Sequence, residues 1–504
     1  MALALKIIFQ KSLDTGEIPK IFKTAFVIPI HKGDSRALPQ NYRPVSLTSH
    51  LVKTFERVVR KSLVNYLEFN DKMNPSQHGF RQGRSCLSQL LEHYDNILKI
   101  LEEGQNVDVI YLDFAKAFDK VDHGILCHKL KELGIDGLLG QWLYSFLNDR
   151  DQFIIANGVK SKESKVKSGV PQGTVLGPIL FLILISDINK DIESIASMFA
   201  DDTRIMYNIR NETDVEKLQE DLGKVFDWQE NNNMKFNSKK FELLRYGPNK
   251  ELKDNTEYLT PDGEKIEQKE NLRDLGIQMS DNANFSDHIA KVCKTVNQKC
   301  GWILRTFMCR KTFFMKLMWK SLVQPNIDYC SQLWMPYKSI EMEKIENLQR
   351  QFTKRIPEVN KLHYWERLKT LKMLSQERRM ERYRIIYTWK ILEGKSPNCG
   401  VTSKTHERLG RTCEIPQLNK NSRQSVQTIR ENSFQVNGPK LFNCLPKYIR
   451  NKRGCSIEEF KSELDIFLQK IPDEPKSEGN VPTASNQISG RPSNSIIEQC
   501  KNMK

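Results

Sequence analysis

The chain has 504 residues, of which 39% are hydrophobic and 28% are charged, and its formal net charge is +16. This length suffices for two or three domains, whereas the longest apolar run, residues 179–185, is far shorter than the roughly 20 residues that span a bilayer. The 11 cysteines contain no CxxC pair, which argues against a zinc ribbon or knuckle, and their scatter fits a reducing compartment.

In chain order, the hydrophobic pattern predicts mixed elements in residues 1–105, an α+β region in residues 106–280, helices in residues 281–395 and shorter elements in residues 396–470. Helices are predicted over residues 50–69, 85–101, 376–393 and 457–469. From residue 471 the sequence is rich in Pro, Ser, Asn and Gly, and this composition predicts a disordered tail.

A pair of acids lies between two strand-like runs. Asp201 and Asp202 follow Phe199 and Ala200, and the flanking runs 195–198 and 203–207 predict a β-hairpin whose turn carries both carboxylates. Adjacent carboxylates repel each other unless a cation lies between them, which favours a divalent metal. A solvated turn is the alternative interpretation.

A second acid ends another strand-like run. Residues 109–112 are all β-branched, aromatic or apolar, and Asp113 follows them directly. Two such strands side by side would form a two-metal site for phosphoryl transfer, for which Mg²⁺ has suitable ligand preferences. The sequence has no GxxxxGK[ST] phosphate loop, no GxSxG elbow and no HExxH motif.

Several blocks stand in a fixed order along the chain. They are FVIPIHKG (26–33) with NYRPVSL (41–47), QHGFRQGRS (77–85), YLDFAKAFDKV (111–121), SGVPQG (168–173), FADD (199–202), FNSK (236–239) and LRDLG (272–276). In this order they resemble the reverse transcriptases of non-LTR (LINE-type) retrotransposons, especially the jockey and CR1-like groups. The resemblance is strong over residues 22–280 and weaker up to about residue 470.

The resemblance implies an α+β right-hand polymerase. Its expected parts are fingers (1–105), a palm with an antiparallel sheet (106–280), a helical thumb (281–360), a helical basic C-terminal region (361–470) and the disordered tail (471–504). Members of this family carry an endonuclease before the polymerase. Since the fingers block begins near Phe22, we expect the nick to come from another protein, and Met1 to be an internal methionine of a truncated or decayed frame.

The resemblance also assigns the acids. Asp113 and Asp201 are expected to be the shared ligands of two Mg²⁺ ions, with Mn²⁺ as an alternative, and Asp202 is a supporting carboxylate. Asp119 and Asp122 resemble a structural turn acid and a helix-capping acid, so we place them outside the metal site.

Three further positions are expected at the nucleotide. Phe118, five residues after Asp113, is expected to lie beneath the incoming sugar and to exclude a ribose 2′-hydroxyl; a core phenylalanine is the alternative. Gln172 is expected to pack against the dNTP or the template, unless it is a plain loop amide. Gly173 would let the main chain approach a nucleotide closely.

Cationic side chains complete the predicted site. Lys239 is expected to reach the leaving pyrophosphate as a cation or general acid, although lysine-rich turns are commonly solvated. Arg43 and Arg81 are candidates for bidentate contact with the triphosphate. Either arginine could instead cap a helix or pair with a carboxylate, and the sequence does not rank them.

The basic charge is concentrated in one stretch. Residues 291–395 contain 23 Lys and Arg against 9 Asp and Glu, together with five of the seven tryptophans. This composition suits a nucleic-acid track, and we expect the cluster Arg378, Arg379, Arg382 and Arg384 to contribute to it. An amphipathic bundle with internal aromatic residues is compatible, because apolar residues at 345, 348, 352 and 356 recur at helical spacing.

These features together predict an RNA-directed DNA polymerase that extends a DNA primer on an RNA template from dNTPs. We expect an intracellular protein of the nucleus or cytoplasm without a membrane partner. A catalytically silent nucleic-acid-binding remnant of a retroelement and an RNA-dependent RNA polymerase are the alternatives. The intact acids argue against the first, and Phe118 argues against the second.

Overall fold

The structure, a computed structural model, describes residues 2–474 and 495–501 and combines helices with small sheets. The helices are α1 (Ala2–Thr15), α2 (His50–Phe69), α3 (Cys86–Glu102), α4 (His123–Glu132), α5 (Gly137–Leu147), α6 (Gly177–Leu184), α7 (Glu212–Asn231), α8 (Lys250–Asn255), α9 (Ser286–Thr306), α10 (Thr312–Met318), α11 (Gln324–Asp328), α12 (Ser331–Trp334), α13 (Ser339–Thr353), α14 (Tyr364–Leu371), α15 (Gln376–Leu392), α16 (Gln424–Asn432), α17 (Phe434–Asn443), α18 (Lys447–Arg450), α19 (Ile457–Leu468) and α20 (Ile496–Lys501). The strands are β1 (Thr24–His31), β2 (Tyr42–Leu47), β3 (Asn106–Leu112), β4 (Asp151–Ala156), β5 (Val159–Lys160), β6 (Ser164–Lys165), β7 (Ile195–Phe199), β8 (Asp202–Ile209), β9 (Glu242–Tyr246), β10 (Glu267–Lys269), β11 (Asn271–Asp274), β12 (Ile277–Ser280), β13 (Ser403–His406) and β14 (Gly410–Cys413). This mixture confirms the predicted α+β class.

The four helices that the sequence predicts are present as α2, α3, α15 and α19. Local capping explains two of their starts. The Ser49 hydroxyl accepts a hydrogen bond from the Val52 N–H, 3.3 Å away, at the start of α2. At the start of α3 the Ser85 hydroxyl accepts a hydrogen bond from the Ser88 N–H, and the Ser88 hydroxyl accepts one from the Ser85 N–H. Each cap satisfies N–H groups that have no partner within the helix.

Two five-stranded sheets are formed by strands between residues 24 and 269. The first has the order β2–β1–β4–β5, with β6 pairing β4, and β1 is antiparallel to β2 but parallel to β4. The second has the order β10–β9–β3–β8–β7. Strands β7 and β8 pair in antiparallel register from Ile195↔Met206 to Phe199↔Asp202, which confirms the predicted hairpin. Strands β3 and β8 are neighbours in this sheet.

The chain divides into two compact units. Unit 1 comprises residues 1–81, 109–243 and 252–267, and unit 2 comprises residues 82–108, 244–251 and 268–504. In unit 1 the apolar helix α6 is buried along its whole length except at Pro178, and its neighbour Ile185 is buried as well. The longest apolar run of the sequence, residues 179–185, is therefore part of the core of unit 1.

Unit 2 consists mainly of helices. Its central helix, α15, packs against α12, α13, α17 and α19. Three tryptophans of the basic stretch are buried in this unit, Trp319, Trp334 and Trp389. The aromatic residues of the stretch therefore belong largely to the core of the helical unit, whereas Trp302 is 48% exposed.

The arginines of α15 correct one prediction. Arg378 is fully buried and donates to the Pro472 carbonyl at 2.9 Å. Arg379 forms a bidentate pair with Asp328, and Arg382 pairs with Asp465. These side chains have neutral or acidic partners within unit 2, so they are structural and do not form the expected phosphate-contacting cluster.

The fourth member of that cluster, Arg384, is also buried, at 2% exposure, and donates to the backbone carbonyls of Gln332 and Asn432. The predicted disordered tail lies for the most part outside the described residues, and α20 is the helical piece of it that the structure describes. Within residues 2–474 and 495–501, no helix has both the length and the hydropathy to cross a membrane.

Candidate active site

The hairpin turn and the end of β3 bring two predicted ligands to one cavity. Ala200 and Asp201 form the two-residue turn between β7 and β8, and Asp202 is already the first residue of β8. Asp113 directly follows the last residue of β3. Asp113 and Asp201 both line a cavity of about 1310 Å³ in unit 1.

Asp201 and Asp113 have different charged neighbours and different exposure. Burial raises the pKa of Asp201, and the negative charge of Asp113 raises it further, whereas Arg43 and Lys32 lower it. Asp113 is one-third exposed, and its Oδ2 accepts a hydrogen bond from Lys240 Nζ at 3.0 Å. A pair of mutually repelling carboxylates on a cavity wall favours a cationic ligand.

The carboxylate oxygens fit a hard divalent cation, which prefers oxygen ligands and takes further ones from substrate phosphates and water. Within the described residues there is no group of three or more His, Cys, Asp or Glu side chains that could hold a metal without such additional ligands. Asp202 is exposed and is not among the residues that line the cavity. Of the three predicted metal ligands, Asp113 and Asp201 therefore face the cavity, and Asp202 does not line it.

Gln172 and Asp119 form a second polar pair on the cavity wall. Gln172 Nε2 donates to Asp119 Oδ1 at 3.0 Å, and burial raises the pKa of Asp119, although the bond from Gln172 opposes this shift. Both residues line the cavity. Asp119 is thus more than a turn acid, because it fixes which end of the Gln172 amide remains available to a ligand.

Position 173 requires a glycine because of its backbone conformation and because the Ser46 carbonyl lies close to it. Its φ of +102° is a conformation that side-chain-bearing residues rarely adopt, and a Cβ there would lie 2.7 Å from the Ser46 carbonyl oxygen. The Ser46 N–H in turn donates to the Gln172 carbonyl at 2.7 Å. The main chain at Gly173 therefore lies close to strand β2, and its approach to a nucleotide stays a prediction.

Phe118 contacts the core and the cavity at once. Its ring stacks on Phe181 with centroids 4.7 Å apart and meets Phe80 edge-on at 6.4 Å. Phe118 and Phe80 both line the cavity. The stacked ring below restricts the rotamers of Phe118, so its edge presents a fixed apolar surface.

The predicted cations are divided between two environments. Arg43 lines the cavity, whereas Arg81 forms a bidentate ion pair with Glu68 at 3.0 and 2.6 Å and donates to the Asn74 carbonyl at 2.7 Å. Arg81 thus adopts the alternative role of pairing with a carboxylate. Lys239 is exposed and is not among the cavity-lining residues.

Sequence reasoning missed Lys32 and Lys240, which both line the cavity. Lys240 lies beside the predicted Lys239 in a single 3₁₀ turn, Ser238–Lys240, where the sequence pattern does not show which lysine faces inward. The Asn237 N–H donates to the Asp113 carbonyl at 2.7 Å, and this bond orients the turn. Lys32 belongs to the block FVIPIHKG (26–33), and no pattern around it predicted a role at the site.

Comparison with known proteins shows what this chain is similar to. Residues 30–279 match the family described as reverse transcriptase (RNA-dependent DNA polymerase). The chain is 28% identical over 370 residues to the RNA-directed DNA polymerase from mobile element jockey of Drosophila melanogaster, covering 70% of this chain and 39% of that protein. It is 29% identical over 188 residues to a retrovirus-related Pol polyprotein from the type-1 retrotransposable element R2 of Popillia japonica, covering 37% and 26%.

Among solved structures, apo telomerase from Candida tropicalis is 10% identical to this chain. The match covers 78% of this chain and 66% of the telomerase chain, and its TM-score of 0.41 is too low to indicate a shared fold. The chain spans about 40% of the length of the jockey protein that it matches. Through residues 30–279, the chain belongs to the reverse transcriptase family, and its relatives are the RNA-directed DNA polymerases of non-LTR retrotransposons.

Proposed function

We propose that this chain is an RNA-directed DNA polymerase that adds deoxynucleotides to a primer 3′-hydroxyl on an RNA template. The observation that carries the proposal is the pair Asp113 and Asp201, which lie at the ends of neighbouring strands and line one cavity. A reverse transcriptase domain depends in general on divalent metal ions. The open cavity is large enough for a nucleotide and the end of a primer.

Asp113 and Asp201 would hold two Mg²⁺ ions, or Mn²⁺, with Asp202 as a supporting carboxylate. When bound, such ions activate the attacking hydroxyl and neutralise the leaving pyrophosphate. Lys240 now neutralises Asp113 across 3.0 Å. A bound cation would take over this task, which would free the Lys240 ammonium to contact the pyrophosphate, the role that the sequence gave to Lys239.

The remaining cavity residues bind and select the nucleotide. Arg43 and Lys32 supply positive charge for the triphosphate, and Arg43 has the planar donor geometry that suits phosphate oxygens. Asp119 accepts from the Gln172 amide nitrogen, so the amide oxygen of Gln172 is left as an acceptor for the sugar or base. Phe118 would present its apolar edge to the sugar, where a 2′-hydroxyl would clash with the ring.

We assign the nucleic-acid track of residues 291–395 to three lysines of unit 2, the exposed Lys320 and Lys372 and the half-buried Lys316. Lys316 and Lys320 lie one helical turn apart. Burial lowers the pKa of Lys316, and the charges of Lys320 and Lys372 lower it further. Like charges at this spacing destabilise a helix unless an anion lies between them, and a phosphate backbone supplies that anion.

The test is primer extension on an RNA template, with dNTPs and NTPs in parallel reactions and with Asp201→Asn as the inactive control. We expect Mg²⁺-dependent extension with dNTPs by the parent protein and none by the variant. Extension with NTPs would identify an RNA polymerase. Template binding without extension would identify a silent nucleic-acid-binding protein.

A further inference from the structure

One buried side chain binds the turn that carries Asp201. Residues 76–79 lie alongside the end of β7, where the Met198 N–H donates to the Ser76 carbonyl at 3.0 Å and the His78 N–H donates to the Met198 carbonyl at 2.9 Å. These bonds form a parallel bridge between Gln77 and Met198. Gln77 is only 2% exposed, so its amide must find its partners inside the protein.

The amide of Gln77 satisfies both polar backbone groups of Ala200. Gln77 Oε1 accepts from the Ala200 N–H at 2.8 Å, and Gln77 Nε2 donates to the Ala200 carbonyl at 3.3 Å. The same Oε1 accepts from the Gly79 N–H at 2.7 Å. Ala200 is the residue before Asp201, so the side chain of Gln77 acts one peptide group away from the metal-binding carboxylate.

The conformation of Ala200 needs such support. Its φ is +56°, in the left-handed region that residues with a Cβ seldom adopt. Strained backbone of this kind persists where surrounding contacts determine it fully. Gly79 allows the close approach, because a Cβ at that position would overlap the Ala200 nitrogen.

The segment that contains Gln77 is itself anchored at both ends. Arg81 holds one end through its bidentate pair with Glu68. At the other end, Asn74 Nδ2 donates to the Ser186 carbonyl at 2.7 Å. The anchors make the Gln77 amide a fixed reference for the turn.

We propose that Gln77 is a positioning residue that sets the backbone conformation of Ala200 and so aims the carboxylate of Asp201 into the cavity. The inference rests on the proposed function for its kinetic readout only. Loss of the amide would let the Ala200 peptide group rotate, and the carboxylate of Asp201 would spread over several orientations. Nucleotide and primer would still bind, because Gln77 is not among the residues that line the cavity.

The experiment compares Gln77→Met, Gly79→Ala and a matched control, Gln219→Met. Gln219 makes the same pair of bonds to one backbone residue of unit 1, since it accepts from the Leu259 N–H at 2.8 Å and donates to the Leu259 carbonyl at 3.1 Å. It is not among the cavity-lining residues. Methionine preserves the length of the side chain and removes only the amide.

We expect kcat to fall roughly 10- to 100-fold in Gln77→Met and in Gly79→Ala, as misplaced reacting groups usually cause, while KM for dNTP and Kd for primer–template stay near the parent values. A second readout needs no catalysis: the Mn²⁺ concentration that gives half of the metal-induced rise in Tm should increase in both variants. Gln219→Met should match the parent in both measurements.

Gln77 merely stabilises the fold if kcat for Gln77→Met equals kcat for Gln219→Met. The same conclusion follows if the variant differs from the parent only in KM, or if it loses activity only above its own Tm. If the parent protein extended no primer, the proposed function would fail. The Mn²⁺ titration would then decide the inference alone, and an unchanged midpoint would reject it.

Discussion

The cavity of unit 1 and helix α15 of unit 2 are both rich in charged residues, but they use their charges in opposite ways. On α15, Arg378, Arg379 and Arg382 have internal partners, and Arg378 is fully buried. In the cavity, Asp201 is repelled by Asp113, and within the described residues Asp113 forms an ion pair only with the exposed Lys240. Charges that are neutralised internally hold a fold together, whereas repelling charges on a cavity wall are available to a ligand.

The largest effect should come from the cavity acids. Asp113→Asn or Asp201→Asn should lower the rate of nucleotide addition roughly a thousandfold or more, because each variant removes the charge of one proposed metal ligand. Nucleic-acid affinity and Tm should change little, since these charges are not structural. Single-turnover primer extension and a filter-binding assay measure the two properties separately.

Asp122→Asn is the matched control for the acids. Asp122 accepts from the Gly124 N–H at 2.8 Å at the start of α4, and asparagine caps helices equally well. Its rate should therefore stay near that of the parent. Comparable rates for Asp201→Asn and Asp122→Asn would show that the cavity acids are no more available to a ligand than a helix cap.

The next effect concerns the choice of sugar. Phe118→Val should reduce the ratio of kcat/KM for a dNTP to that for the matching NTP by roughly tenfold or more, because discrimination against a hydroxyl depends on a steric clash. Phe80→Leu, at a neighbouring ring of the same cavity, should leave the ratio near the parent value. If the ratio is unchanged in an active Phe118→Val protein, the ring belongs only to the core through its stack on Phe181.

The contrast between the two regions also separates what the sequence predicts from what it does not. Strand β3, the β7–β8 hairpin and helix α2 follow from local pattern and capping, so their positions and the presence of Asp113 and Asp201 at strand ends were predictable. The partner of a long cation was not. Arg81 pairs with Glu68 and Arg382 with Asp465, and no local pattern indicates carboxylates 13 and 83 residues away.

For the same reason the sequence did not distinguish Lys239 from Lys240. Both lie in one short turn, and the hydrogen bond from Asn237 to the Asp113 carbonyl decides which lysine faces the carboxylate. Gln77 begins the block QHGFRQGRS (77–85), but its proposed role depends on the backbone of Ala200, 123 residues further along the chain. Fold class and acids follow from periodicity and motif order, whereas side-chain partners depend on tertiary contacts.

A salt titration tests the contrast in unit 2 directly. The triple variant Lys316→Gln, Lys320→Gln and Lys372→Gln should reduce the slope of log K against log salt for primer–template binding by roughly 2 to 3, since each lost phosphate contact contributes about 0.9. Arg382→Gln should leave the slope unchanged and lower Tm, because its charge pairs with Asp465. The opposite pattern would reassign the nucleic-acid track to α15.

The smallest effect is a pH dependence of stability in unit 2. Burial raises the pKa of Glu346 to about 7, although Tyr364 and the Gln376 N–H donate hydrogen bonds to its carboxyl group. The folded state therefore binds a proton that the unfolded chain, with an ordinary pKa near 4.5, has lost. The stabilisation is fully present below that unfolded pKa and is lost as the pH rises through about 7.

Glu346→Gln tests this linkage, because its amide does not titrate and has an oxygen to accept one bond and a nitrogen to donate another. Between pH 5 and pH 7 the free energy of unfolding of the parent should fall relative to that of the variant, with a limiting slope of about 1.4 kcal/mol per pH unit. Urea denaturation across this range measures the difference. Glu343→Gln is the control, since Glu343 is a partly exposed neighbour paired with Arg350. Parallel pH profiles for the parent and Glu346→Gln would mean that the buried carboxyl group is ionised in the folded protein.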